Sequence, residues 1–308
     1  MAESNIESLQ CIWSEATHSA FTDLMLRKGE WWCTFREAKA HGGGSLGTIR
    51  VLYSNDAKQW QSSAHLAEPG IDLRDPKICE MPDGRFMLVM GGALYDGSRY
   101  VTRAPRLSFS DDGVHWTAPQ KVLAEDHWLW RVTWDGTTAW GVSKLGEGND
   151  PRRGILYRSE DGLSWQFVHE FRLPDDIWNA SETTLRLLPD GEMIALVRPE
   201  WIGTSRPPYV EWSWTRLAEP IGGPNFLILE DGRMWGGGRR HIDGEAQMWL
   251  ARMTRTSYEP TLMLPSGGDC SYPGMVWEGE RLWVSYYSSH EDGKASSIYL
   301  AQVEVAGT

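Results

Sequence analysis

Three heptapeptides repeat one pattern along the chain: Ser54-Asn55-Asp56-Ala57-Lys58-Gln59-Trp60, Ser110-Asp111-Asp112-Gly113-Val114-His115-Trp116 and Ser159-Glu160-Asp161-Gly162-Leu163-Ser164-Trp165. Each reads Ser-x-Asp-(Gly)-x-x-Trp and follows a short apolar run. A motif that returns at intervals of roughly 50 residues marks a repeat architecture, and a four-stranded unit of about that length is the size of a propeller blade. The motif is a folding device. Its Asp carboxylate accepts nearby backbone N–H groups, its Gly tolerates positive φ, and its Trp tucks back between neighbouring sheets. Ala57 replaces the Gly in the first copy, which makes that copy the weakest of the three.

A second repeat runs in step with the first. Arg27-Lys28-Gly29-Glu30, Pro82-Asp83-Gly84-Arg85, Trp134-Asp135-Gly136-Thr137, Pro189-Asp190-Gly191-Glu192, Glu230-Asp231-Gly232-Arg233 and Glu278-Gly279-Glu280-Arg281 each join two apolar stretches through a tight turn. Six hairpins predict six blades, over residues 17–68, 71–124, 127–174, 180–219, 221–265 and 270–306. Leu9 to Trp13 is then the outer strand of the last blade and closes the ring, so that no sheet edge is left free. No convincing helical periodicity appears, while 18 Trp and 32 Gly accompany strands broken by turn dipeptides. The expected fold is all-β, one six-bladed β-propeller spanning residues 1–308.

The formal net charge of −12 disfavours nucleic acid and anionic membranes as partners. The start Met1-Ala2-Glu3-Ser4-Asn5-Ile6 has no basic and apolar leader, and no apolar run has the length of a membrane span, so a cytoplasmic address is expected. Cys11, Cys33, Cys79 and Cys270 lack paired spacing and read as free thiols. His241-Ile242-Asp243 and His290-Glu291-Asp292 match no recognised metal-ligand spacing, so no cofactor is expected. His41-Gly42-Gly43-Gly44 lacks the Gly-x-Ser-x-Gly partner that would make it an esterase oxyanion loop.

In a propeller the innermost strands line a central channel, and its mouth gathers residues from every blade. The polar and aromatic residues expected there are Arg36, Arg74, Asp75, Trp130, Arg131, Glu182, Arg198, Arg239, Asp269, Tyr286 and Tyr287. Trp130, with Trp128, is a candidate platform for a sugar face.

Together these features resemble the sialidase superfamily, six-bladed propellers whose Asp-boxes read Ser-x-Asp-x-Gly-x-Thr-Trp. The copies here are one residue shorter between Ser and Trp. The resemblance implies an Asp-box propeller that hydrolyses glycosides and assigns roles residue by residue. Trp32-Cys33-Thr34-Phe35-Arg36-Glu37 is similar to the Phe-Arg-Ile-Pro stretch, without the Ile-Pro, and makes Arg36 the first of three arginines that hold a substrate carboxylate. Trp178-Asn179-Ala180-Ser181-Glu182 resembles the region of the glutamate that pairs with a nucleophilic tyrosine. Arg198 fits the second arginine and Gly238-Arg239 the third. Ser285-Tyr286-Tyr287-Ser288-Ser289-His290, followed by Ser297-Ile298-Tyr299-Leu300, looks like the nucleophile segment, with Tyr287 preferred to Tyr286.

The chemistry is coherent, because guanidinium forks grip a carboxylate and a neutral phenol approaches an anionic centre that would repel a carboxylate nucleophile. The family's loop Asp, the general acid/base, has no match in Ala38-Lys39-Ala40-His41-Gly42-Gly43-Gly44-Ser45. His41 and Asp75 are the two candidates for that role. Three functions are thereby expected. The first is exo-acting hydrolysis of a terminal, acidic sugar from an oligosaccharide. The second is β-elimination from uronate-containing glycans, and the third is glycan binding without turnover.

Overall fold

The structure, a computed structural model, describes residues 4–146, 152–174, 179–291 and 296–305. Trp178 of the glutamate segment, Asp292 and residue 306 at the end of the sixth span lie outside the described residues.

Among the described residues, 24 strands form six sheets of four. The first blade holds β2 (His18–Arg27), β3 (Glu30–Ala38), β4 (Thr48–Ser54) and β5 (Gln61–Leu66). The second holds β6 (Ile71–Glu80), β7 (Phe86–Asp96), β8 (Arg99–Ser110) and β9 (Gln120–Lys121). The third holds β10 (His127–Asp135), β11 (Thr138–Leu145), β12 (Arg153–Ser159) and β13 (Gln166–Glu170). The fourth holds β14 (Thr183–Leu187), β15 (Met193–Val197), β16 (Trp201–Ser205) and β17 (Trp212–Arg216). The fifth holds β18 (Gly222–Ile228), β19 (Met234–Ile242), β20 (Glu245–Met253) and β21 (Tyr258–Leu264). The sixth holds β22 (Ser271–Glu278), β23 (Arg281–Ser288), β24 (Ser297–Glu304) and β1 (Asn5–Trp13).

This is the six-bladed propeller expected, with the N-terminal strand as the outer strand of the last blade. β1 pairs antiparallel with β24, Leu9 opposite Ala301 and Cys11 opposite Tyr299. It begins at Asn5, four residues before the strand read from the sequence. Most of β1 is exposed, so its first residues carry no apolar alternation that would reveal them.

The second strands are largely buried between neighbouring blades, most completely in the second and fourth. Every residue of β15 is buried, as are the first eight of β7. The three Ser-x-Asp turns have one geometry. The Oδ1 of Asp56, Asp112 and Asp161 accepts two backbone N–H groups each, at 2.7–2.9 Å. The indole N–H groups of Trp60, Trp116 and Trp165 donate to the carbonyls of Ala57, Gly113 and Gly162. Ala57 adopts φ 57° and so makes the same turn as the glycines, at the cost of strain. Each Trp packs against a core shared by two blades: the sixth and first, the first and second, and the second and third.

The central channel is filled by polar side chains of successive blades. Arg131 Nη1 donates to both carboxylate oxygens of Asp23, at 2.9 and 2.8 Å. Asp23 Oδ2 also accepts the Ile78 N–H. Lys77 donates to the carbonyls of Thr22 and Pro76, and Arg186 bonds Asn225, which donates in turn to the Pro273 carbonyl. In the sixth blade Gly274 leaves the room needed, since a Cβ there would stand 2.2 Å from the Leu24 nitrogen. Buried charges hydrogen-bonded in this way form a floor beneath the channel mouth.

Candidate active site

Five of the six innermost strands break register at the same height. β2, β6, β10, β18 and β22 set two residues against one of the neighbouring strand, at Phe21-Thr22, Asp75-Pro76, Trp130-Arg131, Gly223-Pro224 and Tyr272-Pro273. Such bulges re-aim side chains. Phe21 (φ 66°), Asp75 (φ 50°) and Tyr272 (φ 52°) hold a left-handed backbone that non-glycine residues avoid, the kind of local strain that clusters at functional sites. In the fourth blade Glu182 directly precedes β14, and its carbonyl accepts the Arg198 N–H at 3.0 Å.

Four of these positions meet around a cavity of about 530 Å³: Asp75, Trp130, Glu182 and Tyr272. Arg74, Arg103 and Lys144 add positive charge to its wall, and Trp128, Tyr95 and Tyr100 add aromatic surface. The Tyr272 hydroxyl donates to Glu182 Oε1 at 2.8 Å, and Arg198 Nη1 donates to the same oxygen at 2.7 Å. Arg198 Nη1 also lies 3.5 Å from the Tyr272 hydroxyl. Beneath them Lys77 Nζ sits 4.7 Å from the Trp130 ring centre and 5.7 Å from that of Tyr272.

The electrostatics separate acid from base. Burial alone would raise the Glu182 pKa, but Arg198 and Lys144 more than offset it and hold it at about 2, so Glu182 is ionised. Burial pushes the Tyr272 phenol well above its usual value, and Glu182 pushes it the same way, so the phenol keeps its proton until a base takes it. Burial brings Lys144 and Lys77 down to about 8.

Tyr287, the tyrosine expected beside Glu182, is not the one bonded to it. Tyr287 is fully buried and donates to Asp269 Oδ1 at 3.0 Å; Tyr272, stacked on it with ring centres 6.1 Å apart, is the one bonded to Glu182. Tyr286 points to the opposite side of β23, into the core between the fifth and sixth blades, where its hydroxyl donates to the Pro265 carbonyl. It is core and does not face the channel mouth.

The three arginines do not form an open carboxylate grip. Arg36 is wholly buried, with its guanidinium donating to Asp72 Oδ1 and to the carbonyls of Ala40 and Ser45. Arg239 is half-buried and reaches the Cys270 carbonyl at 3.4 Å, and Arg198 faces Glu182. Arg131 belongs to the channel floor through Asp23.

Asp75 and Arg74 line the cavity, as does Trp130. Trp130 is only 2% exposed, however, and abuts Tyr272 at 5.2 Å between ring centres, so it supports that phenol and offers no open face to a sugar. His41 and Asp269 are bonded to each other at 2.6 Å, with the Phe21 ring between His41 and Tyr272. Neither lines the cavity, so of the two acid/base candidates Asp75 alone stands with Glu182 and Tyr272.

The sequence reading missed Tyr272, Lys144, Arg103, Lys77, Tyr95 and Tyr100. A signal for the first was present. Asp75-Pro76, Gly223-Pro224 and Tyr272-Pro273 recur near the start of innermost strands, and Pro inside a strand marks a bulge.

No family model matches the sequence, and no curated relative matches it either. Solved structures do match the fold. A protein of unknown function from Dyadobacter fermentans DSM 18053 superposes with a TM-score of 0.83 at 17% identity, covering 99% of this chain and 100% of its own. The Trypanosoma rangeli sialidase, solved with the inhibitor DANA, gives 0.70 at 12% identity over 93% of this chain, which spans 55% of the sialidase. A Penicillium chrysogenum α-L-arabinanase complexed with arabinobiose gives 0.71 at 13% identity, covering 98% and 99% of the two chains. The chain thus shares its propeller fold with these structures.

Proposed function

We propose that the protein is a retaining glycoside hydrolase that removes a terminal acidic sugar from an oligosaccharide, with Tyr272 as nucleophile and Glu182 as its base. The observation that carries this reading is the Tyr272 hydroxyl bonded to an ionised Glu182 at the base of a cavity. A phenol of pKa about 10 is a weak nucleophile unaided, and raising that value by burial makes a dedicated base necessary. As the phenol oxygen attacks the anomeric carbon, its proton passes to Glu182 Oε1. Asp75 protonates the departing glycosidic oxygen, then takes a proton from the water that attacks the anomeric carbon, while Glu182 returns its proton to the Tyr272 phenolate as that bond breaks.

The acidic character follows from the wall. Arg74, Arg103 and Lys144 give a sugar carboxylate charge-assisted donors, and a neutral nucleophile does not repel it. The fold likeness to a sialidase and an arabinanase supports glycoside hydrolysis as the class of reaction.

The test is a screen of purified protein against aryl glycosides of acidic and neutral sugars, with uronate-containing oligosaccharides alongside. Aglycone release from acidic glycosides that is lost in Glu182→Gln and Asp75→Asn supports the proposal. New near-ultraviolet absorbance without hydrolysis overturns it in favour of elimination. Binding without turnover overturns it in favour of a lectin-like role.

A further inference from the structure

The seam between the first and sixth blades carries a cluster that the proposed glycosidase site does not use. His18 opens β2, His41 lies in the loop after β3, and Asp269 precedes β22. His18 Nε2 and His41 Nδ1 both face Asp269 Oδ2, at 2.9 and 2.6 Å, and the three ligand atoms lie within 4.8 Å of one another. We propose that His18, His41 and Asp269 form a binding site for a divalent transition-metal ion, which clamps the propeller ring where its first and last blades meet.

The donor set fits the ion. Two imidazole nitrogens and one carboxylate oxygen suit zinc, cobalt and their neighbours, and tetrahedral bonds of about 2.0–2.2 Å place adjacent ligand atoms about 3.3–3.6 Å apart. The contacts observed, 2.9 and 2.6 Å, are hydrogen-bond distances, so an ion would spread the ligand atoms by about 0.5–1 Å as it replaced the bridging hydrogens. Loss of the proton at each ligating nitrogen, by tautomer exchange or ionisation, frees the lone pairs.

The carboxylate is also held from behind, as ligating carboxylates are. Its other oxygen, Oδ1, accepts the Tyr287 hydroxyl at 3.0 Å, and the Asp269 N–H donates to Ser289 Oγ at 2.7 Å. Oδ2 is left as the point on which both imidazoles converge. His18 is nearly buried, whereas the His41 side chain is 53% exposed, so an ion there reaches solvent and keeps open coordination positions. Gly43 (φ 73°) and Gly44 (φ 82°) give the loop its bend, and a Cβ at Gly44 would meet the Gly97 carbonyl oxygen at 2.1 Å. The loop thus has a fixed seat that delivers His41 to Asp269.

The experiment titrates tag-free full-length protein with Co²⁺, reading visible d–d absorption, followed by Zn²⁺ competition and thermal denaturation with and without Zn²⁺. The expected result is one equivalent of Co²⁺ displaced by Zn²⁺, with a higher melting temperature in the ion's presence. His41→Ala, at a half-exposed side chain, and the isosteric Asp269→Asn should each lower affinity at least about 100-fold, and Tyr287→Phe by about 10–100-fold. Absence of stoichiometric Co²⁺ binding, or binding unchanged in His41→Ala and Asp269→Asn, would overturn the assignment and leave a hydrogen-bonded His-Asp-His group.

Discussion

Tyr272 donates its phenolic hydrogen to Glu182 Oε1 at 2.8 Å across a separation of 90 residues, and Arg198 grips the same oxygen. Tyr272 lies on the innermost strand of the sixth blade, and Glu182 directly precedes that of the fourth. On the proposed mechanism, catalysis depends on Tyr272 and not on its stacked neighbour. Tyr272→Phe should lower kcat/KM at least about 1,000-fold, because the nucleophile is removed. Tyr287→Phe should leave kcat/KM within about tenfold. Steady-state kinetics of the two variants on one aryl glycoside decide it.

Arg36 should prove structural. Removing one member of a fully buried ion pair strands the other, and Arg36→Ala should cost about 3–5 kcal/mol of stability. Urea denaturation measures this, and the paired change Arg36→Met with Asp72→Leu should recover much of the loss. Gly47→Ala should act in the same direction, since its Cβ would stand 2.2 Å from Arg36 Nε and 2.5 Å from Asp72 Oδ1.

The hairpins were legible in the sequence because they are local. An Asp-Gly or Lys-Gly turn between apolar runs needs no distant partner to be recognised. The fourth blade shows where this fails. Tyr209 takes φ 66° and the Trp212 indole donates to its carbonyl, the same device as in the first three blades, yet Ser205-Arg206-Pro207-Pro208 conceals the motif. The site was half legible. Glu182, Asp75 and Arg74 were identified by their place on innermost strands. Tyr272 was not, although Pro273 marks a bulge there, because Tyr286-Tyr287 offered a more conspicuous phenol pair. Arg36 was misjudged for a related reason. Its partner Asp72 lies 36 residues away in another blade, and nothing near Arg36 announces the pairing.

The repeated turns predict an acid limit to stability. Backbone N–H groups of Ser164 and Leu163 outweigh the effect of burial and hold Asp161 at about 2, below the usual carboxylate value near 3.9. A carboxylate depressed by folding contributes stability that is present above its unfolded pKa and is lost as pH falls through the folded one. The melting temperature should therefore fall progressively between about pH 4 and pH 2. Asp161→Asn should lower it at pH 7 and flatten that slope, as read by calorimetry across pH.

Lys144 predicts the alkaline behaviour of the site. Burial lowers its pKa to about 8, so the ammonium is present below that pH and lost above it. For an acidic glycoside KM should rise as pH passes from about 7 to 9, while KM for a neutral glycoside should not follow. Lys144→Met should remove the difference between the two profiles.

The most direct test of the central claim is covalent trapping. The acidic sugar that is turned over fastest, carrying fluorine beside its anomeric carbon and a good leaving group, slows release of the glycosyl-enzyme, and peptide mass spectrometry then locates the label. The account predicts a single glycosylated peptide with the sugar on Tyr272, absent in Tyr272→Phe. A label on Asp75, Glu182 or Tyr287, or turnover that persists in Tyr272→Phe, would contradict it.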